Sequence, residues 1–309
     1  MDEIKNKIED ISKSLGFDLI KFTKYEKLES EIKLFKNYIE KNFHADMKWM
    51  ENSLDKREDP KLIFPEVKSV IVMASSYNFG ISHLKDKNFG KIARYAWGRD
   101  YHKVLDKRTK IFRQSLSEIG VNSKFYTDTG PCLDRQWAVK SGLGWQGKNG
   151  MVINRNLGSY FFITVGFLDL EVSSDKIHRD YCGECTKCIQ ACPTNAIIQD
   201  KVVDSNKCIS YWTIENRDDS FPDFISKNQH NWVFGCDICQ EVCPWNNHRN
   251  LISKELDFLP RNNETSLSLD NINQMNEEEF SIRFMSSPVK RTKLKGLKRN
   301  SKVIRDNSI

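Results

Sequence analysis

"CGECTKCIQACP", Cys182 to Pro193, decides how the chain is read. Its cysteines follow C-x2-C-x2-C-x3-C-P, the bacterial ferredoxin run whose fourth thiolate serves a second cluster. The short loops turn three sulfurs and several backbone N–H groups toward one cube, and the proline ends the loop and helps turn the fourth sulfur away. Downstream, "CDICQEVCPWN" (Cys236 to Asn246) repeats the ending but lacks one ligand. Cys208, in "NKCISYW", is the remaining cysteine of the region. If the runs exchange their last cysteines, one [4Fe–4S] cluster takes Cys182, Cys185, Cys188 and Cys243. The other takes Cys192, Cys208, Cys236 and Cys239, with its first ligand displaced upstream by the insertion 209–235. Zinc is the competing reading, but zinc sites usually show two C-x2-C pairs without Cys-Pro. Eight ligands with two C-x3-C-P endings fit two cubanes better. Cys132 lies outside the set and reads as a small buried residue.

The surroundings agree with metal ligation. The chain has 309 residues, nine cysteines and a formal charge of +6. No basic start leads into an apolar run, no twin-arginine leader is present, and no stretch of about 18 apolar residues could span a membrane. A cytoplasmic protein without membrane contact is therefore expected. The cytosol keeps thiols reduced, which disfavours structural disulfides. The mild positive charge is compatible with a phosphate-bearing partner.

Outward from the cysteines, strands and helices alternate. Residues 1–15 carry apolar residues at helical spacing, with Gly16 as a stop. "FDLIKF" reads as a strand, "LESEIKLFKNYIEKNF" as an amphipathic helix and "VKSVIVMASSY" (67–77) as a buried strand. "DKRTKIFRQSLSEIG" is helical to Gly120, "SKFYT" is a short strand, and "PCLDRQWAVKSG" is a helix with Pro131 near its start. "MVINRNLGSYFFITVGFLDL" reads as a hairpin around "NRNLG". The expected class is α/β (α+β): a mixed-sheet domain over 1–174, a ferredoxin-like two-cluster segment over 175–250 held together by its clusters, and a short helical, basic segment over 251–309. That last part carries Lys290, Arg291, Lys293, Lys295, Lys298, Arg299, Lys302 and Arg305 among apolar residues at roughly helical spacing.

Two clusters attached to a large domain suggest a reductase with a second cofactor. "GLGWQG" (142–147) matches G-x-G-x-x-G, but it follows a helix and precedes a strand, the reverse of a dinucleotide site. "GWQGKN" ends in Asn, so it is not a phosphate-binding Walker loop. "DYHKVL" (100–105) lacks the glycine of the D-x-H-x-x-G motif that supplies a histidine to cobalt in some corrinoid enzymes.

"ARYAWGRDYHKVL" (93–105), "DTGPCLDR" (128–135), "GLGWQGKN" (142–149), the cysteine run, "CISYWTIE" (208–215) and "GCDICQEVCPWN" (235–246) together resemble the epoxyqueuosine reductase family. The resemblance implies reduction of epoxyqueuosine to queuosine at the wobble position of certain tRNAs, using cobalamin fed by two [4Fe–4S] clusters. The partners it implies are a tRNA anticodon stem–loop and a low-potential electron donor, with the enzyme itself a monomer. Asp128 in "DTGP" matches the family's proton donor, which would need a pKa raised by burial beside the corrin. The family's corrin contacts fall on Arg57, Ala93, Asp128, Val152, Ile163, Ser210 and Asp237. His102 is then expected to hydrogen-bond in or near the pocket instead of ligating cobalt. Many members continue into helical repeats beyond the basic segment, which is where this sequence stops; the segment itself could add salt-dependent affinity for an RNA backbone. Two rival readings are a reductive-dehalogenase-like corrinoid enzyme acting on a small molecule and a non-catalytic corrinoid or electron carrier.

Overall fold

The computed structural model describes residues 2–246 and 252–307. The chain opens with α1 (Asp2–Ser14), which buries Ile8 and ends before Gly16, where a φ of +86° suits glycine. β1 (Leu19–Lys24), α2 (Glu29–Glu40), α3 (Leu54–Glu58), β2 (Ser69–Ser76) and β3 (Phe89–Ile92) follow. Next come α4 (Tyr101–Glu118), β4 (Ser123–Tyr126), α5 (Asp134–Lys140), β5 (Trp145–Gln146), β6 (Val152–Ile153) and β7 (Phe161–Leu168). The cysteine-rich part holds α6 (Lys187–Ala191), β8 (Ile197–Gln199), β9 (Val202–Val203), α7 (Ile209–Ile214), α8 (Asp223–Ser226), β10 (Trp232–Phe234) and α9 (Ile238–Glu241). β11 (Ser266–Ser268), α10 (Leu269–Gln274), α11 (Glu277–Arg283) and α12 (Lys293–Asp306) complete the order.

The main sheet runs β1-β2-β7-β4, antiparallel throughout. All eight residues of β2 are buried, because helices cover both faces of the sheet. Alternation sorts them. Ile71 and Met73 pack with Phe22, Leu105 and Phe112, while Val70, Val72 and Ala74 pack with Trp137, Val165 and Phe167. A second sheet, β10-β3-β11, pairs β3 in parallel with β10 and antiparallel with β11.

Two local expectations need correction. The helix expected from Pro131 starts at Asp134, because Pro131 and Cys132 belong to the loop before it. "NRNLG" is a tight turn closed by a bridge between Asn154 and Gly158, but no strand hairpin forms there. β6 pairs instead with β5, which frees β7 for the main sheet. The glycines of "GLGWQG" allow that pairing. A side chain at Gly144 would stand 2.2 Å from the carbonyl oxygen of Ile153. These glycines serve close backbone packing.

The cysteine-rich part shares a core with the C-terminal segment. Ile214, Val233 and Phe234 pack with Leu294, Leu297 and Ile304 of α12. The same helix buries Arg299, whose guanidinium donates to the carbonyls of Trp212 (2.7 Å), Asn216 (3.2 Å) and Asp218 (2.6 Å) and lies over Phe221. Burial depresses the Arg299 pKa to about 10. Lys293, Lys295, Lys302 and Arg305 remain on the outer face. Among the described residues no helix is long and apolar enough to cross a membrane.

Candidate active site

Asp128 stands just beyond the end of β4, with a left-handed φ of +62°. Its neighbour Thr127 is tied to Thr164 of β7 by a 2.8 Å hydroxyl contact, so the sheet fixes where the loop begins. The first turn of α4 faces it. Asp100 caps that helix by accepting from the His102 N–H, and its carboxylate also holds the His102 Nδ1 at 2.9 Å. Tyr101 donates its hydroxyl to Asp128 Oδ2 at 2.6 Å, and His102 Nε2 lies 3.3 Å from the same oxygen. The Tyr101 ring stacks on Phe162 of β7.

The electrostatics follow from this geometry. Burial disfavours a charged His102, but hydrogen bonds to Asp100 and Asp128 outweigh it and push its pKa up to about 9. For Asp128, crowding by protein atoms acts upward, and His102 and Tyr101 outweigh it, holding the carboxyl below the usual range. The Asp128 side chain is 62 % exposed, so water still reaches it. The expected upward shift is therefore absent from the open site, where the proton rests on His102. Both His102 nitrogens face carboxylates, Nδ1 hydrogen-bonded to Asp100 and Nε2 at ion-pair distance from Asp128.

Behind the loop sits a second carboxyl that the sequence reading passed over. Asp134 opens α5 with Oδ1 sealed from water and without a hydrogen-bond partner among the described residues. Burial first, and then the charge of Asp128, pushes it up to about 7. Beside it, burial raises the Cys132 thiol well above its ordinary value. Arg57, itself depressed by burial, donates to the Cys132 carbonyl at 3.1 Å, so it anchors the Asp128 loop from behind.

The other expected site residues fall into two groups. Val152 and Ile163 line the sheet face that also holds Cys132 and Leu133. Ala93, Ser210 and Asp237 gather around the cysteines. Ala93 is 1 % exposed, with its N–H bonded to Phe234 and its methyl facing Gly235, so only its backbone could meet a ligand. Asp237 is buried, accepts from the Arg94 N–H at 2.7 Å, and has its pKa raised by burial, with Arg94 opposing. Arg94 also pairs with Glu241 at 2.7 Å; against burial, His83 and Arg94 together draw Glu241 down to about 2. Tyr95 connects the groups. It lies close enough to feel both Asp128 and Asp237, and it packs edge-on to Tyr101. Tyr95 and Arg94 lie inside "ARYAWGRDYH", and nothing in their spacing marks them as bridging residues. From the basic segment, Arg291 pairs with Glu215 (2.8 Å at Nη2) and stands within electrostatic reach of Tyr95 and Asp128.

The cysteines form two electrostatic neighbourhoods. Cys243 interacts electrostatically with Cys182, Cys185 and Cys188, while Cys239 interacts with Cys208 and Cys192. Cys239 also senses Cys188, so the sets adjoin. The short helix α6, which carries Cys188, packs against α9, which carries Cys239. The surroundings suit bound clusters. Backbone N–H groups of Ile189, Ser210, Ile238 and Trp245 point at the sulfurs of Cys188, Cys208, Cys236 and Cys243. Burial pushes the Cys208 and Cys236 thiols up, so a thiolate there needs a cation for company. Beside Tyr181, the buried indole N–H of Trp145 has no partner among the described residues, a donor free for a cluster sulfur. Among the described residues, no three His, Cys, Asp or Glu groups converge on a point fit for a single ion. A cubane instead presents separate iron corners to its thiolates.

A cavity of about 740 Å³ opens at the opposite ends of α4 and β4, lined by Lys110, Arg113, Asn122 and Asp169, and belongs to neither centre.

Comparison with known proteins matches this layout. A family model described as epoxyqueuosine reductase QueG covers residues 57–129, and one described as a 4Fe-4S double cluster binding domain covers 181–246. The epoxyqueuosine reductase of Atelocyanobacterium thalassa is 41 % identical over 305 residues, 97 % of each chain. That of Leadbetterella byssophila is 41 % identical over 308 residues, 99 % of this chain and all of the relative. A crystal structure of epoxyqueuosine reductase with a tRNA-Tyr epoxyqueuosine-modified tRNA stem loop aligns with a TM-score of 0.90 at 26 % identity, covering 99 % of this chain and 81 % of that one. With a 4Fe–4S double-cluster domain downstream of a mixed α/β reductase domain, and with near-full-length relatives of one kind, this chain belongs to the epoxyqueuosine reductase family.

Proposed function

We propose that this oxidoreductase converts epoxyqueuosine to queuosine in the anticodon loop of tRNA, with cobalamin and two [4Fe–4S] clusters. The reaction breaks both C–O bonds of the epoxide, forms a C=C bond, consumes two electrons and two protons, and releases the oxygen as water. Cobalamin, when bound, supplies the low-potential reductant for the epoxide. Val152 and Ile163 would give it apolar walls, and Arg57, Ser210, Asp237 and the Ala93 backbone its polar contacts. Cys182, Cys185, Cys188 and Cys243 would hold one cluster, and Cys192, Cys208, Cys236 and Cys239 the other. Residues 1–174 would then carry the chemistry, 175–250 the electrons, and 251–309 part of the RNA contact.

The observation that carries this reading is the Asp128–Tyr101–His102 constellation. An opening epoxide generates an alkoxide that needs a proton at once. Asp128 is the exposed member of a hydrogen-bonded set whose proton sits on His102. With cofactor and substrate bound beside it, Asp128 would lose the water that now reaches its carboxylate. Desolvation then favours the neutral acid, with His102 as the neighbour that yields the proton. A carrier has no use for such an acid. The basic segment, with Arg291 within reach of Asp128, favours an RNA substrate over a small halide.

The test is direct. Cluster-reconstituted protein with cobalamin and a chemical reductant is expected to turn an epoxyqueuosine-containing anticodon stem–loop into its queuosine form. Cobalamin binding without any turnover would leave the carrier reading standing.

A further inference from the structure

We infer that the outer flank of the Cys182 cluster site is a docking face for a small acidic one-electron donor protein. This inference rests on the cysteines being cluster ligands. Tyr181, next to Cys182, and Trp245, beyond Cys243, meet Trp145 with ring centroids 5.1 and 5.0 Å away. The result is an aromatic cluster beside this cysteine set, whereas Asp237 adjoins Cys236 and Ser210 follows Cys208 in the other set. Two guanidiniums lie over the Tyr181 ring, Arg155 at 5.4 Å and Arg179 at 5.1 Å. Both arginines are exposed, as are Lys176 and Lys187 nearby in the chain. Among the described residues none of these four forms an ion pair, whereas the neighbouring acids Asp175 and Asp180 are engaged by Lys5 and Lys201. Glu184 is the exposed acid left in the loop. Ile177, 65 % exposed, adds an apolar contact between Lys176 and Arg179.

Unpaired cations on a rigid aromatic base, beside half-buried cysteines, suit transient electrostatic docking better than a structural role. Such faces steer partners of opposite charge and raise association rates. The acidic partner would enter at the Cys182 set, and the packing of α6, which carries Cys188, on α9, which carries Cys239, would bring the two sets near enough to pass electrons onward to the set beside Ser210 and Asp237.

The probe is a plant-type [2Fe–2S] ferredoxin, a strongly acidic protein, used with the reconstituted full chain. At low salt, R155E/R179E is expected to weaken binding of the oxidised ferredoxin, measured by calorimetry, by about tenfold or more. Stopped-flow cluster reduction by reduced ferredoxin should slow to a similar degree, and raising the salt should bring wild type down toward the variant. Iron content, reduction by methyl viologen radical and stem–loop affinity should not fall. R155Q/R179Q, which removes charge without reversing it, should lie between. Unchanged ferredoxin binding would overturn the assignment. So would a matching loss of stem–loop affinity, which would make the face an RNA surface. Wild type that accepts ferredoxin electrons as described but never reduces the stem–loop would sink the proposed function and leave this face intact.

Discussion

At the scale of the residue, Asp128 and His102 form an ion pair, and each predicts something separate. Asp128→Asn is expected to lower turnover by about 10²-fold or more, within the range for a lost general acid, while iron content and stem–loop affinity hold. Retained turnover in that variant would reassign the proton donor. His102 has a folded pKa of about 9 against an ordinary 6.5. Its stabilising contribution is therefore complete below about pH 6.5 and lost as pH rises through about 9. Asp128 works in the opposite direction, because its carboxyl is depressed below 3.8. Its contribution is present above that value and lost as acid protonates it. Urea titrations of wild type and His102→Gln should differ most below about pH 6.5 and converge as pH rises through and beyond about 9. Little of this pairing was legible beforehand. "DTGP" and "DYH" are short polar stretches, and the strand and helix that bring Asp128 onto Tyr101 and His102 leave no mark in either. Asp134 was invisible for the same reason, since its pKa comes from burial that a linear pattern does not carry.

At the scale of the element, locally encoded features were readable and long-range pairings were not. The period of α1, the buried run of β2 and the glycine stop after α4 follow from residues close in sequence. β6 pairing with β5 was missed because a two-residue strand has no period, and "NRNLG" suggested the commoner hairpin. The parallel contact between β3 and β10 was missed because three- and four-residue strands from opposite parts of the chain carry no shared signal. Gly235 shows how tight that contact is. It has a φ of +71°, and an added methyl would stand 2.5 Å from the Ala93 Cβ. Gly235→Ala is expected to cost about 2–4 kcal/mol, from left-handed strain plus overpacking. Because Cys236 is the next residue, iron content measured alongside urea denaturation should fall with it. In the core shared with α12, Arg299→Ala would leave the carbonyls of Trp212, Asn216 and Asp218 without this donor. A loss of about 2–4 kcal/mol is expected, read as a lower urea midpoint.

At the scale of the whole molecule, the parts marked out by composition turn out to be interwoven. The second sheet draws one strand from the reductase domain, one from the cysteine-rich part and one from the C-terminal segment. α7 and β10, which flank Cys208 and Cys236, both pack on α12. Cys208→Ala is accordingly expected to drop the iron count from about eight toward about four while near-native circular dichroism persists, since the core beneath is apolar. The same interweaving has a consequence for how the protein is made. Synthesis is vectorial, and all eight clustered cysteines leave the ribosome before residues 293–306. A nascent chain therefore shows its thiols to iron donors, and to oxidants, while the floor under Cys208 and Cys236 is still missing.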